Sequence, residues 1–142
     1  MTGGVAEPEP LLPTGWPRTS VLKVRVDGAR GPLAAQTIAY VARLVSARHW
    51  LVSICEIRET WVLLHLPVGR TDDGETISMA ADRAALDDLL DLLGAVKTAS
   101  VQAKRAFVVL FEDEEVGRVA EGRLSTELTR DVIEPWRRNV GV

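Results

Sequence analysis

The stretch Trp50-Leu-Val-Ser-Ile-Cys-Glu-Ile-Arg-Glu-Thr-Trp-Val-Leu-Leu-His-Leu-Pro-Val68 decides the fold. It holds two runs, Trp50 to Arg58 and Trp61 to Val68, rich in β-branched, aromatic and aliphatic residues, which predicts a hairpin turning at Glu59-Thr60. A two-residue loop there sets Arg58 opposite Trp61, and pairing then runs Ile57 with Val62, Cys55 with Leu64 and Ser53 with Leu66. That face is almost wholly apolar. The opposite face carries Val52, Ile54, Glu56 and Arg58 beside Trp61, Leu63 and His65, a half-apolar surface. Because side chains alternate with period two, a register slip of one residue would exchange the two sets.

Toward the N-terminus, Val21 to Asp27 reads as a one-sided strand, with Leu22, Val24 and Val26 on one face and Lys23, Arg25 and Asp27 on the other. Gly28-Ala-Arg-Gly31 is a turn, and Pro32 suits the first position of a helix running to about Arg48. Ala34, Ile38, Val41, Leu44 and Val45 recur at helical spacing, while Arg43, Arg48 and His49 suit the negative end of the helix dipole. Residues 1–20 hold Pro8, Pro10, Pro13 and Pro17 and read as an extended tail, separate from a single folded unit over 21–142. Leu11, Leu12 and Trp16 are costly in a solvated tail, which leaves a strap over the domain's own core or a motif that docks another chain.

Toward the C-terminus, Asp73-Gly74 is a turn signal that would fold Glu75 to Met79 back as a short strand. Asp82 opens a second helix with Leu86, Leu89, Leu90 and Leu93 on one face and Asp87, Asp88 and Asp91 on the solvent side; Gly94 ends it or is passed through. Phe107 to Phe111 is a strand apolar on both faces, and a charged turn over Glu112 to Glu115 leads into a strand over Val116 to Val119. Ser125 is an N-cap for a terminal helix with the stripe Leu128, Val132 and Trp136, and Pro135 should kink or stop it. The order strand, helix, strand, strand, helix, strand resembles a ferredoxin-like two-layer α+β sandwich, an antiparallel sheet with two helices on one face plus a C-terminal helix.

The formal net charge of -3 and a pI near 5.4 offer no cationic field, so nucleic acid is not the expected partner. All 17 basic residues except Lys23, Lys97 and Lys104 are arginines, the usage of a high-GC bacterial genome. One cysteine in 142 residues excludes an intrachain disulfide, and residues 5–13, broken by charge and proline, read as neither signal peptide nor membrane span. The expectation is a cytoplasmic protein.

Chemistry-bearing residues are sparse. The predicted register puts Cys55 and His65 on opposite faces, so they cannot form a thiolate and base dyad. Cys55, His49 and His65 lack zinc-ligand spacing, and the acidic clusters at Asp72-Asp73, at Asp87, Asp88 and Asp91, and at Glu112 to Glu115 match no calcium loop. No catalytic residue, metal or cofactor is predicted. One local feature has anion-binding physics: Gly28, Arg30 and Gly31 before a helix N-terminus, without dinucleotide or P-loop spacing. The expected function is therefore a non-enzymatic interaction or regulatory module, self-associating or part of a larger bacterial assembly, in contact through Trp61, Arg58, Ile54, Leu63, Val52 and Trp16. The rival is a small enzyme or binder of phosphate-bearing ligands near Gly28 to Gly31.

Overall fold

The computed structural model describes residues 20–67 and 79–142. The tail over 1–19, Trp16 included, lies outside the described residues, as do residues 75–78 of the short strand expected over Glu75 to Met79, while Met79 itself opens a helix. The chain is mixed α+β. Its elements are β1 (Ser20–Val26), α1 (Gly31–Val45), β2 (Ile54–Arg58), β3 (Trp61–Leu66), α2 (Met79–Gln102), β4 (Phe107–Phe111), β5 (Glu114–Ala120) and β6 (Arg123–Leu124), then a terminal helix. That last helix joins α3 (Thr126–Leu128), a π-helical turn (Thr129–Ile133) and α4 (Glu134–Val140).

The six strands form one antiparallel sheet in the order β2-β3-β1-β4-β5-β6. The hairpin has the register expected from its loop, Arg58 with Trp61, Ile57 with Val62 and Cys55 with Leu64. It is shorter than expected at the front. Ser53 does not pair with Leu66, because residues 51–53 turn their amides to a carboxylate on α2.

All the described helices lie on one face of the sheet. Leu22, Val24, Val62, Leu64, Phe107, Val109 and Val119 from that face merge with Ile38 and Val41 of α1, Leu86, Leu89, Leu93 and Val96 of α2, and Leu128, Ile133 and Val140 of the terminal helix. Fully burying one such Val or Leu contributes about 1.5–3 kcal/mol. At Gly117 the terminal helix packs directly on the strand: a Cβ there would stand 2.5 Å from both Leu128 Cβ and Ser125 Oγ.

Several details depart from the sequence pattern. α1 ends at Val45, so Arg48 and His49 lie beyond it and only Arg43 remains in its last turn. α2 runs through Gly94 as one helix of 24 residues, since its apolar face continues to Ala99 on the same core. Pro135 does not stop the terminal helix. The residues ahead of it widen to a π turn, with Glu134 N–H donating to Thr129 C=O, which accommodates the missing proline donor. The extra residue moves the buried stripe from Leu128, Val132 and Trp136 to Leu128, Ile133 and Val140, leaving Val132 and Trp136 half-buried. The turn from β4 to β5 is the dipeptide Glu112-Asp113, both with positive φ (52° and 67°), a backbone whose twist matches an antiparallel hairpin.

Candidate functional site

The sheet face turned away from the helices carries most of the predicted contact residues, in rows set by strand pairing. One row runs Ile54, His65, Val21; the next runs Glu56, Leu63, Lys23, Leu110, Glu115; the third runs Arg58, Trp61, Arg25, Val108, Arg118. The register therefore brings Ile54, Arg58, Trp61 and Leu63 together. Val52 does not join them. It sits in the loop before β2 and packs on the helix-side core, because the strand begins four residues later than the run from Trp50 suggests.

Nor is this face open. Leu63, His65 and Val108 have 0% exposure, Lys23 5% and Leu110 8%, although no described helix lies over them. Leu63 thus presents no surface to a partner. Trp61, Arg58 and Ile54, toward the β2 edge, stay half-buried.

A polar array crosses the β2–β3 hairpin on this side. Glu56 Oε1 lies 3.0 Å from His65 Nε2, and Arg58 Nε donates to Glu56 Oε2 at 2.7 Å. The carboxylate acts as acceptor to both, so Nε2 is the protonated ring nitrogen. His65 Nδ1 is buried with no hydrogen-bond partner among the described residues. Lys23 Nζ, in the next strand, pairs with the Asp113 carboxylate. Cys55 points to the helix side, opposite Leu64, away from His65. Burial, and secondarily the Glu56 charge, push its thiol pKa up to about 11, so it is a protonated thiol at neutral pH and a poor nucleophile. No group of three or more His, Cys, Asp or Glu among the described residues is arranged to hold a metal ion. Nor is any described helix long and apolar enough to cross a membrane.

The edge is the part of this site that sequence reasoning missed. Among the described residues β2 is the outermost strand, and its five residues pair with β3 without a bulge. Among the described residues no backbone group bonds to its outer side. It contains no proline, and Glu56 and Arg58 are the charges it carries. Ile57, on its helix side, is 41% exposed. The opposite edge is different in kind: β6 has two residues.

The start of β2 is held by a buried carboxylate. Asp88, expected on the solvent side of its helix, has 0% exposure. Its Oδ1 accepts Leu51 N–H at 2.8 Å, and its Oδ2 accepts Val52 and Ser53 N–H at 3.0 Å each. Arg48 Nη2 lies 3.6 Å from Oδ1, pairs also with Asp91, and its guanidinium stands 5.7 Å over the Trp50 ring. The loop before β2 is thereby tied to α2.

Gly28 and Gly31 both have positive φ (72° and 58°), the backbone a tight strand-to-helix turn requires. Arg30 between them is an exposed N-cap whose side chain makes no cap hydrogen bond. The turn geometry accounts for both glycines without a ligand. A second concavity, between α2, the β4–β5 hairpin and the terminal helix, is lined by Asp82, Glu112, Glu114, Asp131 and Trp136. Burial raises the Asp82 carboxyl above its ordinary range, whereas the hydrogen bonds from Arg130 hold Asp131 below its own.

No family model matches the chain, and neither a curated protein nor a solved structure matches it.

Proposed function

We propose that this protein is a non-enzymatic interaction module that self-associates through the β2 edge of its sheet, as a bacterial regulatory or assembly component. The observation that carries the reading is a five-residue strand that is outermost among the described residues, pairs without a bulge and bears the exposed Ile57. The outward N–H and C=O groups of a sheet edge are a template for another strand, and the apolar side chain adds contact area. The buried centre of the second face argues for the edge, with Arg58, Trp61 and Ile54 at its rim, over the whole face as the contact.

The strand order β2-β3-β1-β4 with α1 and α2 on one face supports a ferredoxin-like architecture, to which β5, β6 and the terminal helix are additions. An arginine-rich composition and a single cysteine support a bacterial cytoplasmic setting. Sedimentation velocity of the full chain from about 1 to 100 μM is the test, since transient interfaces dissociate in that range. A sedimentation coefficient that rises with concentration supports the proposal, and a monomer throughout overturns it.

A further inference from the structure

The sequence of β2 states which partner its edge fits. Resting on the self-association proposed above, we infer that the occupant of the β2 edge is the β2 strand of a second copy, antiparallel about a two-fold axis through Ile57. Three observations converge. First, the order Glu56-Ile57-Arg58 is self-complementary: with Ile57 facing its own copy, Glu56 falls opposite Arg58 of the second copy and Arg58 opposite its Glu56. Any other symmetric register within the strand loses this. Centring on Glu56 sets two carboxylates face to face, and centring on Arg58 does the same with two guanidinium groups.

Second, the charges are already fixed in place. Arg58 Nε is held on Glu56 Oε2 at 2.7 Å, and Glu56 Oε1 on His65 Nε2 at 3.0 Å, so both groups project from the same face of the strand with little rotamer freedom left to lose. The two intrachain pairs become one alternating row of four charges across the dimer. Third, the far edge of the sheet is too short to serve as a complementary surface. A head-to-tail assembly would need β2 of one copy against the two-residue β6 of the next, whereas the two-fold arrangement sets Glu56, Ile57 and Arg58 against the same three residues of the copy and closes on itself.

The side chains of Ile57 meet at the axis on the helix side of the joined sheets, where each is 41% exposed in the single chain. Backbone hydrogen bonds supply the attraction, Ile57 the apolar contact and the Glu56–Arg58 pairs the register.

Three variants of the full chain test this by sedimentation. Arg58→Glu alone places like charges opposite each other twice over and is expected to weaken self-association about tenfold or more, as is Glu56→Arg alone. An equimolar mixture of the two variants restores opposite-charge pairs in the heterodimer, and association is expected to return. Ile57→Cys in a Cys55→Ala background is expected to form a disulfide-linked dimer under mild oxidation, because Cα atoms facing across an antiparallel pair lie within disulfide reach; Ala47→Cys in the same background is not. Arg58→Glu and Ile57→Cys leave the His65 contact intact, so they read the register even where Glu56→Arg fails to fold. If the unsubstituted chain associates but Arg58→Glu associates equally well, Ile57→Cys forms no disulfide-linked dimer, or a mixture of the two folded charge variants does not recover, the register is overturned while self-association stands. A chain monomeric at every concentration overturns both.

Discussion

Replacing Asp88 by alanine removes a fully buried carboxylate that accepts three consecutive amides, those of Leu51, Val52 and Ser53, at 2.8, 3.0 and 3.0 Å. A hydrogen bond to a charged group contributes about 1.5–3 kcal/mol net, so three of them set an upper bound of about 5–9 kcal/mol. The bound is not reached. Leu51 is exposed and Val52 half-buried, so water entering the vacated space can take up their amides, whereas the Ser53 amide is enclosed and loses its partner outright. Arg48 keeps Asp91 as a partner. The expected loss is therefore about 3–5 kcal/mol, which for a chain of this size lowers the melting temperature by roughly 10–20 °C. Asp88→Asn retains one acceptor oxygen but turns an NH2 toward backbone donors, and should lose about 2–3 kcal/mol. Urea unfolding followed by far-UV circular dichroism gives both values, and hydrogen exchange should show loss of protection at Val52 and Ser53 before the sheet centre opens. A loss below about 1 kcal/mol for Asp88→Ala would refute the reasoning, since the loop would then be held by its own packing and not by the carboxylate.

Gly117→Ala forces a Cβ to within 2.5 Å of Leu128 Cβ and Ser125 Oγ, neither of them the end of a flexible chain, so it should cost about 1–3 kcal/mol in the same assay. Ser125→Ala removes the acceptor for Arg118 N–H at 3.0 Å and Leu128 N–H at 3.4 Å, and a loss near 1 kcal/mol is expected, measured by the shift in the urea midpoint. Cys55 binds its proton more tightly in the folded chain, its pKa pushed up to about 11 from the 9.0 of a free thiol. Its contribution is therefore whole below pH 9 and is lost as pH rises toward 11, on the order of 2–3 kcal/mol. Unfolding free energies at pH 8, 9.5 and 11 should show that fall in the native chain and a shallower one in Cys55→Ala. Inorganic phosphate at millimolar concentration is expected to leave the melting temperature unchanged, because the Gly28 to Gly31 turn is explained by its own backbone; a clear rise would revive it as an anion site.

Much of the architecture was legible because its determinants are local. Alternation with period two assigned Leu22, Val24 and Val26 to the core, and a two-residue loop at Glu59-Thr60 left one register for the hairpin, the one β2 and β3 adopt. Ser125 as a cap follows from the hydroxyl acceptor that a helix start requires. The candidate site was legible only in part. Trp61, Arg58 and Ile54 could be set on one face from the pattern, but Val52 could not be excluded, since an apolar run does not say where its backbone stops pairing.

What remained depends on partners far apart in the chain. Asp88 reads as one more acid on a polar helix side, and only the approach of residues 51–53, over 30 positions earlier, makes it an interior acceptor. Pro135 signals a helix end, yet the core contacts of Ile133 and Val140 favour a π turn over termination. Alternation in the amino-acid sequence determined that the hairpin has two unlike faces. That β2 is the edge, and that Leu63 and His65 are enclosed while Ile57 is exposed, was decided by the strand order and the layer of helices, because burial is a property of what lies beside and above a strand and not of the strand itself.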